Sequence, residues 1–203
     1  MASTIKWFGD NGGSDGNAAN NRDLSGGGTK FRFRTDDDWH TIDGVNPVPI
    51  PGAGTNYAGW IHFYAKMTAR PGTESVNNFK LYTDGAGYGT GIVVNVAGEF
   101  PTNNSGAAES GYEIAAFNPV GTTAYEMTVA APNGHSILDT ALDVFGYTSA
   151  SPFSGPTISE AGAVLNAVSE MTNYFVLQAA VGTTASAGVK TAETFTLRYD
   201  EIV

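Results

Sequence analysis

The chain contains no cysteine, so disulfide cross-links, thiolate metal sites and cysteine nucleophiles are excluded. Histidine is scarce, with only His40, His62 and His135. A zinc site of the H-E-x-x-H kind has no counterpart, and no G-x-S-x-G elbow precedes a helix to supply a serine triad. The three imidazoles are therefore expected at the surface or on strand edges. No apolar run approaches the ~20 residues of a membrane span. The start, MASTIKWFGD, lacks the basic region and long apolar stretch of a secretory signal, so neither membrane nor secretion is expected. Basic groups are also few, 10 Lys and Arg against 20 Asp and Glu, for a formal net charge of −10. An acidic surface repels phosphate backbones, so no nucleic-acid partner is expected.

The acidity is uneven. Residues 1–80 hold eight basic and eight acidic groups, whereas residues 81–203 hold only Lys190 and Arg198 against twelve carboxylates. The sole basic cluster is KFRFR at 30–34, where alternation turns Phe31 and Phe33 one way and Lys30, Arg32 and Arg34 the other. Two readings fit: a half-buried strand with a solvated basic face, or a subunit contact in which the basic row meets an acidic face of a neighbouring copy.

Glycine, at 26 of 203 residues, punctuates the whole chain. DNGGSDGNAANNRDLSGGG at 10–28 has Leu24 as its only sizeable apolar residue. It cannot offset its ordering entropy by burial. Residues 1–28 are therefore expected to form an extended Gly/Asn-rich arm, removable without unfolding a single body at 29–203, with TIKWF as an apolar anchor that presents Trp7 and Phe8.

In the body, apolar residues recur with a period of two. GWIHFYAKM puts Ile61, Phe63, Ala65 and Met67 on one face and Trp60, His62, Tyr64 and Lys66 on the other. FKLYT, GIVVNVA, AYEMTVA, NYFVLQAAV and TFTLRYDEIV alternate likewise, and Gly, Pro and Asn clusters separate them. Short alternating strands between turn clusters predict an all-β antiparallel sandwich of jelly-roll type. Helical spacing is limited to SILDTALDVF and SEAGAVLNAVSEM, each either a short helix within a connection or a strand. DGVNPVPIPGAGTNY, with three prolines in five residues, cannot be a central strand and reads as a crossing loop.

Chemistry finds little support. Calcium would draw on Asp10, Asp15 and their Asn neighbours and on the Asp36 to Asp38 row, but neither set fits the spacing of a calcium-binding loop. No other cofactor is expected. A glycosidase needs two facing carboxylates, and no local pattern selects a pair, so the chain is not expected to be an enzyme. GAGYGTG at 85–91 resembles a dinucleotide loop, yet a strand follows it instead of a helix.

Binding through surfaces remains. Trp39, Trp60, Tyr64 and Tyr88 are expected on outer faces or in loops, where aromatics stack on sugars or anchor protein interfaces. SVNNFKLYTDG and NYFVLQAAVGTTASAGVKTAETFTLRYDEIV, with a final hairpin closing on LRYDE, resemble the β-sandwich structural proteins of tailed bacteriophages and related prokaryotic viruses. The likeness is to the small proteins that decorate or cement a capsid. It implies a virion component, made in the host cytoplasm, that binds the major capsid protein, copies of itself, or both, as a homo-oligomer. The alternative is a carbohydrate-binding, lectin-like module on a viral spike or fibre.

Overall fold

The structure is a computed structural model that describes residues 2–13, 20–26, 30–38, 45–100, 112–118, 123–135, 140–158 and 162–203. Ten strands are described: β1 Thr4–Asn11, β2 Asn20–Asp23, β3 Thr55–Tyr57, β4 Ile61–Ala69, β5 Ser75–Tyr82, β6 Ile92–Phe100, β7 Leu142–Asp143, β8 Phe153–Ser154, β9 Tyr174–Gly182 and β10 Thr196–Ile202. They form two antiparallel sheets. The larger runs β2-β1-β4-β9-β6-β7, with β3 beside the far end of β9, and the smaller runs β10-β5-β8. Among the described residues the only helical element is a 3-10 turn at Val144–Gly146, and no helix is long and apolar enough to cross a membrane.

The expected β-sandwich is thus present as two antiparallel sheets, but the centre of the larger sheet, β4 and β9, is buried on both faces. On its inner face Phe63, Val94, Val96, Phe175 and Leu177 pack with Leu81 of the smaller sheet. Further along, Ala65 and Met67 meet Val76, Phe79 and Leu165. On its outer face Trp60, Tyr64, Tyr174 and Val176 lie under Tyr112, Ala115, Ala124 and Met127, all from the long connection between β6 and β7. Residues 61–65 of β4 and 174–179 of β9 are buried without interruption. Period-two alternation therefore separates two buried layers here, not an apolar face from a wet one.

The connection is pinned through Gln178, which is fully buried. Its Nε2 donates to the carbonyls of Ala58 (2.9 Å) and Tyr125 (2.8 Å), and its Oε1 accepts from the Met127 N–H (2.8 Å). One amide satisfies three backbone groups that the packing takes out of water. AYEMTVA, expected as a strand, is instead an irregular segment with an isolated bridge at Ala124. Gln178 and the Tyr57 carbonyl, 3.0 Å from the Ala124 N–H, take the place of a ladder.

Several other expectations change. SEAGAVLNAVSEM forms no helix over its described residues; Leu165 makes a bridge to Val76 with paired backbone bonds of 2.9 and 2.8 Å. The helix proposed for SILDTALDVF falls partly on residues 136–139, outside the described set, and its end is β7 and the 3-10 turn. KFRFR is extended but joins no ladder. Gly59 lets it press on the entry to β4, for its N–H donates to the Arg34 carbonyl (2.7 Å) and a Cβ there would stand 2.9 Å from the Asp36 carbonyl oxygen. β9 and β10 make no hairpin, because β9 belongs to the larger sheet and β10 pairs with β5.

The largest difference is at the N-terminus. Thr4–Asn11, expected in a free arm, lies between β2 and β4, with Phe8 opposite Tyr64 and Asp10 opposite His62. Trp7 packs on Phe63 and Phe175 on the inner face, and Phe8 stacks on Tyr64 on the outer face. Composition across 10–28 hid a strand whose apolar residues come just before that stretch. Trp7 and Phe8 are half-buried, and deleting the strand removes both together with the β1–β4 ladder, a loss to be set against ~5–15 kcal/mol of total stability. Deletion of residues 2–23 is accordingly expected to yield an unfolded or aggregated protein by circular dichroism and gel filtration. A folded, soluble truncate would show that β1 is dispensable.

Candidate functional site

Between the two sheets the structure leaves an apolar trough of about 1130 Å³. Its floor is the inner face of β4 and β9, where Phe63 and Phe175 stack at 5.4 Å. Its walls are Trp7 from β1, Phe31 and Phe33 from the extended 30–34 segment, and Phe195, Leu197 and Tyr199 at and before β10. Phe31 ties these walls together, touching Phe33, Phe63 and Phe195 at ring separations of 5.6, 5.0 and 5.4 Å. The trough stays open because three strands cannot cover seven, and β10 is the last strand on that side. The charged residues along it are Lys30, Arg32, Lys190 and Glu193, a net positive lining in a chain of charge −10.

The outer face of the same sheet carries a closed polar cluster. His62 and His135 are both buried, not at the surface as expected, and their Nε2 atoms lie 3.3 Å apart. The Glu113 N–H points at His62 Nε2 from 3.4 Å, and the Glu113 carboxylate stands 3.6 Å from His135 Nδ1. One Nε2 must accept while the other donates, so a second proton would set two N–H groups against each other. Burial, and then the neighbouring His135, hold His62 well below the ordinary histidine range. Around this pair Tyr174 donates to Asp10 and Tyr112 donates to Asp37. Burial pushes the Tyr112 hydroxyl up, with the Asp37 bond adding to it, and burial also raises the Asp37 carboxyl against the opposing bond from Tyr112.

The residues proposed for calcium have other partners. Asp10 accepts from Tyr174, and Asp36 takes a two-pronged bond from the buried Arg34 guanidinium (2.6 and 2.7 Å) and one from the Asn46 amide (2.7 Å). Burial raises the Asp36 carboxyl, but Arg34 and Asn46 outweigh it and leave it below the usual range. Asp38 lines a crevice of about 10 Å³ shared with Arg34, Asp36 and Asp37, so a guanidinium already supplies the positive charge of that acidic corner. Arg34 is thus inside the protein and not on the solvated face assigned to it. Asp15 lies outside the described residues. Among those described, no three His, Asp or Glu side chains group to hold a metal ion.

The aromatic candidates divide. Trp60 and Tyr64, expected outside, are 3% and 1% exposed because the β6–β7 connection covers their face. The Asn21 amide donates to the Tyr64 hydroxyl (3.1 Å). Phe8 belongs to that layer, whereas Trp7 and Tyr88 border the trough. Tyr88 meets Phe145 edge-on, and burial, with Glu193 nearby, pushes its hydroxyl up to about 12. Trp39 lies outside the described residues, as does His40. Sequence reasoning missed Phe195 and treated Phe31 and Phe33 only as the buried side of a strand. The turn of these aromatics to one side of an edge segment was the available signal.

Comparisons with family models, curated proteins and solved structures find no match to this chain.

The histidine pair carries a pH dependence with a definite sign. His62 stays neutral in the fold, while an unfolded histidine titrates near 6.5, so below that pH only the unfolded chain gains this proton. Stability is expected to fall as the pH drops below about 6.5, by up to about 1.4 kcal/mol per pH unit for this proton, and to be insensitive to it above. Asp36, held low, matters only in the lower carboxylate range. Urea denaturation between pH 8 and pH 5 checks this, and a flat profile would contradict it.

Proposed function

We propose that the chain is a structural subunit of a virion, a sandwich of jelly-roll type that decorates or cements the outside of a capsid as part of a homo-oligomer. The observation that supports this reading is the open apolar trough. Small-molecule pockets measure ~300–1,000 Å³ and enclose their ligand, whereas this trough is larger and open along one side. An opening of that shape suits a segment of a neighbouring chain. Apolar side chains of the major capsid protein or of another copy would replace water against Trp7, Phe33 and Phe195. A standard interface buries ~1,600 Å² in all, and repetition over a shell turns modest single contacts into a stable coat. The KFRFR segment serves as trough wall in this reading, with the exposed Lys30 toward acidic groups of the neighbour.

The carbohydrate-binding alternative loses two of its four candidate residues, since buried Trp60 and Tyr64 present no ring to a sugar. The test begins with particles purified from the virus-bearing source, in which the chain is sought by immunogold labelling and mass spectrometry. Purified chain is then rebound to particles stripped of it. Phe33, half-buried at the trough wall, is the residue to change: Phe33→Ser is expected to weaken rebinding by about tenfold, or ~1.4 kcal/mol, while the protein stays folded. Absence of the chain from particles, or undiminished rebinding by the variant, would overturn the proposal.

A further inference from the structure

β10 is the outer strand of the smaller sheet. β5 pairs with one of its edges and, among the described residues, no strand pairs with the other. A seven-residue edge leaves a row of backbone donors and acceptors that invites another strand. Its side chains alternate, with Leu197, Tyr199 and Glu201 half-buried and Arg198, Asp200 and Ile202 exposed.

An edge can pair with its own copy only about a twofold axis, and facing residues must share a face of the pleat. One residue then faces itself, and its two neighbours face each other's counterparts. Centring on Arg198 sets arginine against arginine, and centring on Asp200 sets aspartate against aspartate. Centring on Tyr199 sets Arg198 of each copy against Asp200 of the other. That register alone makes two cross-strand ion pairs and no like-charge contact at these positions.

Arg198 has no such partner among the described residues of the single chain. Opposite it on β5 stands Lys80, another cation, whose Nζ donates to Ser154 (2.9 Å). Arg198 makes no ion pair among the described residues. Among the described residues the side chain of Asp200 is bonded only to the neutral Asn78 amide (2.6 Å). Leu197 and Tyr199 line the trough, so their counterparts in a paired strand fall on the same face of the joined sheet.

We propose that two copies of this chain pair antiparallel along β10 about a twofold axis at Tyr199, joining two three-stranded sheets into one of six strands. This deepens the reading of the chain as an assembly subunit by naming the partner and the surface. Sedimentation equilibrium on the full chain is expected to show a dimer. Arg198→Asp alone or Asp200→Arg alone sets like charges opposite each other twice and is expected to raise the dissociation constant at least about tenfold. The combined variant restores both pairs in reverse and is expected to return to within about threefold of the parent. Circular dichroism checks that each variant folds. A monomeric parent chain, or single variants that dimerise as the parent does, would overturn the pairing. Shell binding by a strictly monomeric protein would overturn the pairing and keep the assembly reading; a β10 dimer that binds no shell would do the reverse.

Discussion

The burial of both faces of the β4–β9 strand pair is the constraint on which the rest of the molecule depends. A strand with a single dry face can carry any polar residue on the other. Here residues 61–65 and 174–179 have no wet face, and every polar group among them needs a partner within the protein. Tyr174 finds Asp10 on β1, and Gln178 finds three backbone groups. The Thr172 hydroxyl, just before β9, accepts the Ala65 N–H at 2.9 Å. Of these, Gln178 reaches the β6–β7 connection and holds its residues 125–127 where no ladder does.

The two faces are solved differently. The outer face is closed by loops and carries the polar residues, with aromatic rings around a buried histidine pair. The inner face is almost wholly apolar, and a smaller sheet covers only part of it. Each fully buried aromatic or large aliphatic side chain contributes about 1.5–3 kcal/mol, so the inner layer supplies much of the stability even while one side stays open. The trough and the free edge of β10 are two aspects of the same shortfall, a second sheet too narrow for the first. In the proposed assembly both would be covered by the same event, the arrival of another chain.

The strands were legible wherever their apolar residues alternate: β4, β5, β6, β9 and β10 all follow the period of two. What remained hidden was long-range. Alternation in GWIHFYAKM is the same whether Trp60, His62 and Tyr64 face water or a covering segment, and the residues that cover them, Tyr112, Ala115, Ala124 and Met127, lie far along the chain outside any described strand. β1 escaped notice because the glycines and asparagines beside it set the tone of the segment. Arg34 looked like a solvated cation, since nothing local announces a buried bidentate pair with a residue two positions away. The trough could not be read at all, because its floor and walls come from residues 7, 31, 33, 63, 175 and 195, which only the topology brings together.

Hydrogen exchange measured on the free protein and on the protein in its assembled state tests the account most directly. The amides of β4 and β9 should be strongly protected in both. Those of 30–33 and 187–199, around the trough and the β10 edge, should gain protection only on assembly. Rapid exchange in the centre of β4 or β9 would contradict the doubly buried sheet. Unchanged exchange at the trough would contradict its role as the place where another chain arrives.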